Sequence, residues 1–240
     1  MAVRSIVLAN QKGGVGKTTT AIHLAHGLCL AGHRVVLFDL DPQGNATVAV
    51  QGMSATQDPD VEMEGLIHIA PGLWLLPSAG DSSTLARNAS IDVVRLKELV
   101  SRLDGRADWL VVDCPPRMDE WGWAGVQIAE HVVVPVQAEF FAMHGLSQML
   151  ASLEAASAEF PGRAKLRGVL PTMVDAREAV ALEILNDLRA NLSDRLLKTV
   201  IVRDANLVEA ASFGKTVFQH CPDSKSALCY AELVKELIDG

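Results

Sequence analysis

Lys12-Gly13-Gly14-Val15-Gly16-Lys17-Thr18-Thr19 packs two lysines, three glycines and two hydroxyls into eight residues. That mixture suits a phosphorylated ligand. Glycines let successive backbone N–H groups converge on phosphate oxygens, and a helix starting behind them adds the positive end of its dipole. In such a loop Gly13, Gly14, Val15, Gly16 and Thr19 cradle the phosphates, Lys17 reaches the outer ones, and the Thr18 hydroxyl binds magnesium. The usual spacing, G-x-x-x-x-G-K-[ST], places a glycine where this chain has Gln11, and Lys12 follows it. Lys12 stands too early to duplicate Lys17, so it adds a second cation at the rim with a role of its own.

Two acidic blocks complete the candidate chemistry. Val35–Phe38 runs into Asp39-Leu40-Asp41-Pro42-Gln43-Gly44, and Trp109–Val112 runs into Asp113-Cys114-Pro115-Pro116. A carboxylate at the end of an apolar strand is suited to holding magnesium directly or through water, which makes Asp39 and Asp113 candidate metal groups beside Thr18. The plainer alternative for Asp113 is a cap on the following turn. Asp39 and Asp41 would share a face on a regular strand, but Pro42 breaks the strand and lets them take different roles. Neither the four cysteines nor the seven histidines show a convincing metal-ligand spacing, and the thiols read as reduced and mostly buried.

These groups need a scaffold that brings them to one edge. Val3–Ala9 reads as a buried strand and Thr18–Ala31 as a helix stopped by Gly32. Further apolar runs at 35–40, 109–113, 132–136, 166–170 and 196–202 read as strands. Helical patterns at 94–103, 144–159, 178–192 and 226–238 fall between or after them. Near-continuous apolar strands alternating with helices imply an α/β fold, a mainly parallel twisted sheet covered on both faces, in a single domain over 1–240. Residues 52–90 are less regular, with 66–69 and 73–76 as a short hairpin or edge pair.

Composition narrows the function classes. With 240 residues, 49% of them hydrophobic, the chain can bury a large core, and no apolar run is long enough to span a membrane. A net charge of −8 argues against a uniformly basic surface that coats nucleic acid, while leaving room for a local basic patch.

Asn10–Thr20 and Asp39–Asn45, with 111–116, 135–142 and Ala211-Ser212-Phe213-Gly214-Lys215, resemble the ParA/Soj family of partition ATPases over nearly the full length. The resemblance implies ATP and magnesium as cofactors and a homodimer that sandwiches nucleotide. Lys12 would reach the phosphates bound by the other subunit, and Lys12, Lys17 and Asp41 would be the catalytic groups. Asp41 would position or activate the attacking water, and Asp39 and Asp113 would belong to the magnesium and switch shell. Segments around Met173 and Arg203 would border the adenine. Slow hydrolysis stimulated by a ParB-like or small adaptor protein, a cytoplasmic, nucleoid-associated location and a plasmid, chromosome or protein-assembly cargo complete the expectation.

The same resemblance implies non-specific DNA binding, with Arg177, Arg189, Arg195, Lys198 and Lys215 as candidates, although charges so scattered also suit a solvated face. Asn206, Val202 and Ala211 depart from the residues common in the family. The chain also begins directly at its first strand, which leaves no room for an N-terminal helix-turn-helix extension. Trp121 and Trp123, with Asp119 and Glu120, form either a partner surface or ordinary packing under the next helix. Alternatives to the partition reading are a regulatory switch with negligible hydrolysis and a MinD-like membrane-cycling ATPase. The acidic C-terminal residues 232–239 weigh against the second.

Overall fold

The computed structural model describes residues 2–53, 65–78, 92–139, 142–160, 162 and 164–239. Most of the irregular stretch expected over 52–90 lies outside them. The described elements run β1 (Arg4–Leu8), α1 (Lys17–Leu30), β2 (Val35–Asp39), α2 (Asn45–Ala49), β3 (Ile67–Ala70), β4 (Leu73–Leu76), α3 (Val93–Ser101), β5 (Trp109–Asp113) and α4 (Glu120–Ile128). They continue with β6 (His131–Gln137), α5 (Ala142–Glu159), β7 (Lys165–Thr172), α6 (Ala179–Leu192), α7 (Ala205–Ser212), α8 (Val217–His220) and α9 (Lys225–Asp239).

The strands form a seven-stranded sheet in the order β3-β4-β2-β5-β1-β6-β7, parallel except for the β3–β4 pair at one edge. Alternation of side chains across the pleat divides the core. Val36, Phe38, Leu110, Val112, Val132 and Val134 face a layer that includes Leu96 of α3, Ile128 of α4, Met149 of α5 and Leu188 of α6. Ile6, Leu8, Leu37, Val111 and Val133 face Leu24 and Leu28 of α1 and Tyr230 and Leu233 of α9. Strands apolar on both sides can only sit between two helical layers, which is why this sheet is parallel and central.

The expected strand over Leu196–Val202 is not one. That stretch makes only two isolated parallel bridges to the β7 side, Val169 with Leu196 and Val174 with Val202. Its N–H groups at Lys198 and Thr199 donate to the two carboxylate oxygens of Glu236 on α9, at 2.7 and 3.0 Å, so they are unavailable to a ladder. The short helices α2, α4, α7 and α8 were not expected. The Asp119 side chain caps α4 by accepting from the Trp121 and Gly122 N–H groups, and Thr216 and Gln219 form a reciprocal capping box on α8. Of the four cysteines only Cys114 is buried; Cys29 and Cys229 are partly exposed on α1 and α9, and Cys221 is partly exposed where the chain leaves α8.

Candidate functional site

The glycine loop lies beyond the carboxyl end of β1, between β5 and β6 in the sheet, and leads straight into α1. Gly14 and Gly16 have φ of 75° and 88°, a left-handed backbone that L side chains resist. Asn10 anchors the loop's start: its Nδ2 donates to the Pro135 carbonyl at 2.7 Å and its Oδ1 accepts from the Lys12 N–H at 3.0 Å. Thr172 at the end of β7 anchors the other side, its hydroxyl donating to the Val15 carbonyl at 2.8 Å. Met173 follows with φ of 55°, a conformation rare outside glycine, and its methyl borders Gly16. Arg203 is exposed and joins this segment through its backbone N–H, which donates to the Val174 carbonyl.

Lys17 is buried at the start of α1, with Nζ donating to the Lys12 carbonyl at 3.0 Å. Burial lowers its pKa, and the neighbouring Asp113 and Asp41 carboxyl groups oppose that shift. Lys12 itself points along the exposed rim, where Nζ donates to Glu139 Oε2 at 2.9 Å.

Asp39 and Asp113 are register partners at the ends of β2 and β5, and both are fully buried. Asp39 Oδ2 accepts from the Thr47 N–H at 2.8 Å and from the Thr47 hydroxyl at 2.6 Å, while its Oδ1 has no partner. Neither oxygen of Asp113 makes a hydrogen bond of good geometry. Burial pushes Asp113 up to about 8; the Thr18 hydroxyl beside it opposes the shift, the Asp39 and Asp41 carboxylates add to it, and Lys17 opposes it. Burial also raises Asp39, against the two Thr47 hydrogen bonds. Asp41 is buried, with Oδ1 accepting from the Gln43 N–H at 2.9 Å as the chain reverses. The two carboxylates therefore take different partners after the strand ends.

Three buried, unpartnered carboxylate oxygens are costly unless a cation or donor meets them. Hard oxygen donors near a threonine hydroxyl suit a small divalent cation. Among the described residues no group of three or more acidic, histidine or cysteine side chains could cage a metal alone. Magnesium uses one or two carboxylates and takes its other ligands from phosphates and water.

Local partners occupy three of the five basic candidates. Arg177 stands before α6 and Arg189 in its last turn, about 18 Å apart along the helix at its usual rise. Arg177 pairs with Asp175 at 2.6 Å, Arg195 with Glu154 at 2.7 Å, and Arg189 contacts Asn186 at 3.4 Å. Lys198 and Lys215 are exposed, with no acidic partner among the described residues. Asn206 is spent locally, its backbone and side-chain N–H groups both donating to Asp204 Oδ1. Trp121 and Trp123 are half-buried against the core layer of α3 and α5.

Sequence reasoning gave no role to Asn10, Thr47 or Glu139, and placed Thr172 only in a segment beside the adenine. Asn10 and Glu139 stand inside the blocks that carried the resemblance, so their side chains could have been asked for a role. Thr47 and Thr172 offered only a hydroxyl close to a motif. Their partners are set by the fold.

Comparison with known proteins gives a consistent picture. The AAA domain family matches residues 3–165. The chain is 42% identical to the chromosome-partitioning ATPase Soj of Thermus thermophilus, over 98% of this chain and 96% of that protein. It is 35% identical to the sporulation initiation inhibitor protein Soj of Bacillus subtilis, over 97% of each. A structure of cobyrinic acid a,c-diamide synthase from Mycobacterium smegmatis, with bound ATP analogue and magnesium, superposes with a TM-score of 0.76 at 30% identity, covering 98% of this chain and 94% of that one. The cell division ATPase MinD of Pyrococcus furiosus shares the fold, with a TM-score of 0.79 at 20% identity over 100% and 99% of the chains.

Proposed function

The chain belongs to the Soj/ParA family of partition ATPases, and from that premise we propose a magnesium-dependent ATP hydrolase whose nucleotide-bound form is a sandwich dimer that binds DNA non-specifically. The observation that carries the nucleotide reading is the set of unpartnered carboxylate oxygens on Asp39 and Asp113, buried beside Thr18 behind a glycine loop. Thr18 and these carboxylates would hold magnesium directly or through water. When bound, the ion would neutralise charge on the terminal phosphates.

The chain's own groups do the rest. Backbone N–H groups of Gly13 to Thr19 cradle the phosphates, and the α1 dipole favours their charge. Lys17, held in a buried site where its charge is poorly solvated, gains by moving from the Lys12 carbonyl to a phosphate oxygen. Asp41 orients the attacking water at the γ-phosphate. Met173 and Arg203 border the base. Lys12 leaves Glu139 and reaches the phosphates held by the partner protomer, so ATP stabilises the dimer through contacts that exist only when both sites are filled. Exposed ion pairs are worth about 0–1 kcal/mol, so the Glu139 contact is a small barrier to that exchange.

DNA binding would rest on Lys198 and Lys215, and on Arg177, Arg189 and Arg195 released from their local partners. It would be salt-sensitive on a chain of net charge −8. A ParB-like or small adaptor protein would stimulate turnover, and the cargo is a chromosome, plasmid or protein assembly. Among the described residues no helix is long and apolar enough to cross a membrane.

Phosphate release by wild type and Asp41→Ala, with and without DNA, tests the hydrolytic part, and turnover absent in wild type under all conditions favours the regulatory switch. Size-exclusion chromatography with ATP tests the dimer: Lys12→Ala should keep nucleotide binding and lose the dimer peak. A normal dimer peak would refute the role given to Lys12.

A further inference from the structure

A groove of about 790 Å³ lies between α4 and α5, with Val93 at the start of α3 closing one end. Its walls are two helical stripes. Glu120, Trp123 and Gln127 recur at three- and four-residue intervals along α4, with Asp119 at its cap, and Ser152, Ala155, Ala156, Glu159 and Phe160 form such a stripe along α5 and its exit. Met118, Trp123 and Phe160 give the floor its large apolar surface, and each is only half-buried. The small residues of α5 allow close approach of another backbone. At the rim stand Asp119, Glu120 and Glu159, all exposed, and among the described residues no basic side chain lines the groove.

From this geometry we infer that the α4–α5 groove is a docking site for a cationic amphipathic helix supplied by a partner protein. Charge complementarity selects the occupant: an apolar stripe covers Trp123, Met118 and Phe160 while lysines or arginines meet the three rim carboxylates. A helix suits two facing helical stripes, whereas an added strand needs a sheet edge, and among the described residues no strand lines the groove.

The groove lies outside the nucleotide site, yet one wall is mechanically close to it. Gly125 of α4 packs so tightly on Cys114 that a Cβ there would overlap its sulfur, and Cys114 directly follows Asp113. A Cβ at Gly13 of the phosphate loop would lie 3.8 Å from Pro116, in the lead-in to α4. An occupant of the groove therefore bears on the connection between the switch carboxylate and the phosphate loop.

Binding can be read without nucleotide, so its failure is separate from any failure of the ATPase reading. The probe is a fluorescein-labelled synthetic peptide of about 15 residues, with leucines on one helical face and lysines on the other, followed by fluorescence anisotropy on the full chain. An isomer with the same residues scrambled serves as the control for bulk charge. Glu159→Lys is the key variant, because a cation in the last turn of α5 favours that helix and leaves the fold intact.

Glu159→Lys should weaken binding about fivefold, and Trp123→Ala tenfold or more. Glu232→Lys on α9, across the sheet, should change it less than about twofold. No binding by the wild-type chain, equal binding of the scrambled peptide, or the same loss in Glu159→Lys and Glu232→Lys would overturn the inference.

Discussion

The ends of β2 and β5 and the 196–204 stretch beside β7 both carry carboxylates, and they treat them oppositely. At the first, Asp39 and Asp113 are buried with three oxygens unpartnered, and burial drives both pKa values upward. At the second, Asp204 caps α7 through the Asn206 N–H and also accepts from Ser226, while Glu236 accepts from the Lys198 and Thr199 N–H groups. Burial would raise these two as well, but their hydrogen bonds outweigh it and hold both below the ordinary carboxylate range. A satisfied carboxylate is part of the architecture. An orphaned one in a well-packed sheet marks a place where a ligand completes the structure.

The largest effect should come from the orphaned side. Lys17→Ala removes a buried cation near those carboxylates and should weaken ATP binding on the order of 10²-fold or more, measured by titration calorimetry. Next, on the satisfied side, Glu236→Ala strands two backbone N–H groups and should cost about 2 kcal/mol in denaturant unfolding with ATP affinity unchanged. If Glu236→Ala impaired nucleotide binding as much as Lys17→Ala, the division between the two regions would fail.

A smaller effect tests the bridge between them. His23 on α1 holds the Thr19 carbonyl at 2.7 Å with Nδ1 and accepts the Val217 N–H at 2.9 Å with Nε2, so α8 is tied to the phosphate-loop helix. His26 contacts the Thr216 hydroxyl at 2.6 Å. Burial lowers both from the ordinary 6.5 to about 4. The unfolded chain therefore binds protons at a higher pH than the folded one. Stability from this pair is complete above pH 6.5 and drains away as pH falls toward 4. Thermal melts should decline through that window, and His23→Gln should flatten the slope. The smallest change is Glu139→Gln, which should alter stability by less than about 1 kcal/mol, with the difference vanishing at high salt.

What the sequence revealed was whatever its neighbours decide. The phosphate loop, β1, β2, β5 and the divergence of Asp39 from Asp41 are all set within a few residues by apolar runs, glycines and Pro42. The misread strand at 196–202 has the right composition, but two of its central N–H groups, at Lys198 and Thr199, are taken by Glu236, 38 and 37 residues away. Helix α4 escaped because Gly122 and Gly125 lower its intrinsic propensity, and packing on Cys114 prevails only in the folded chain. Lys12 was legible as a cation at the rim; its partner Glu139, 127 residues on, was not. Polar partners chosen by tertiary contact leave no local trace.

The central claim is that the orphaned carboxylates of Asp39 and Asp113 await a divalent cation bound with nucleotide. Calorimetric titration of a non-hydrolysable ATP analogue, in magnesium and then in EDTA, tests it directly. Binding should be tight in magnesium and at least tenfold weaker in EDTA, and the Asp113→Asn protein should remain folded but no longer distinguish the two conditions. Equal affinity with and without magnesium in the wild type, or an undiminished magnesium effect in Asp113→Asn, would contradict it.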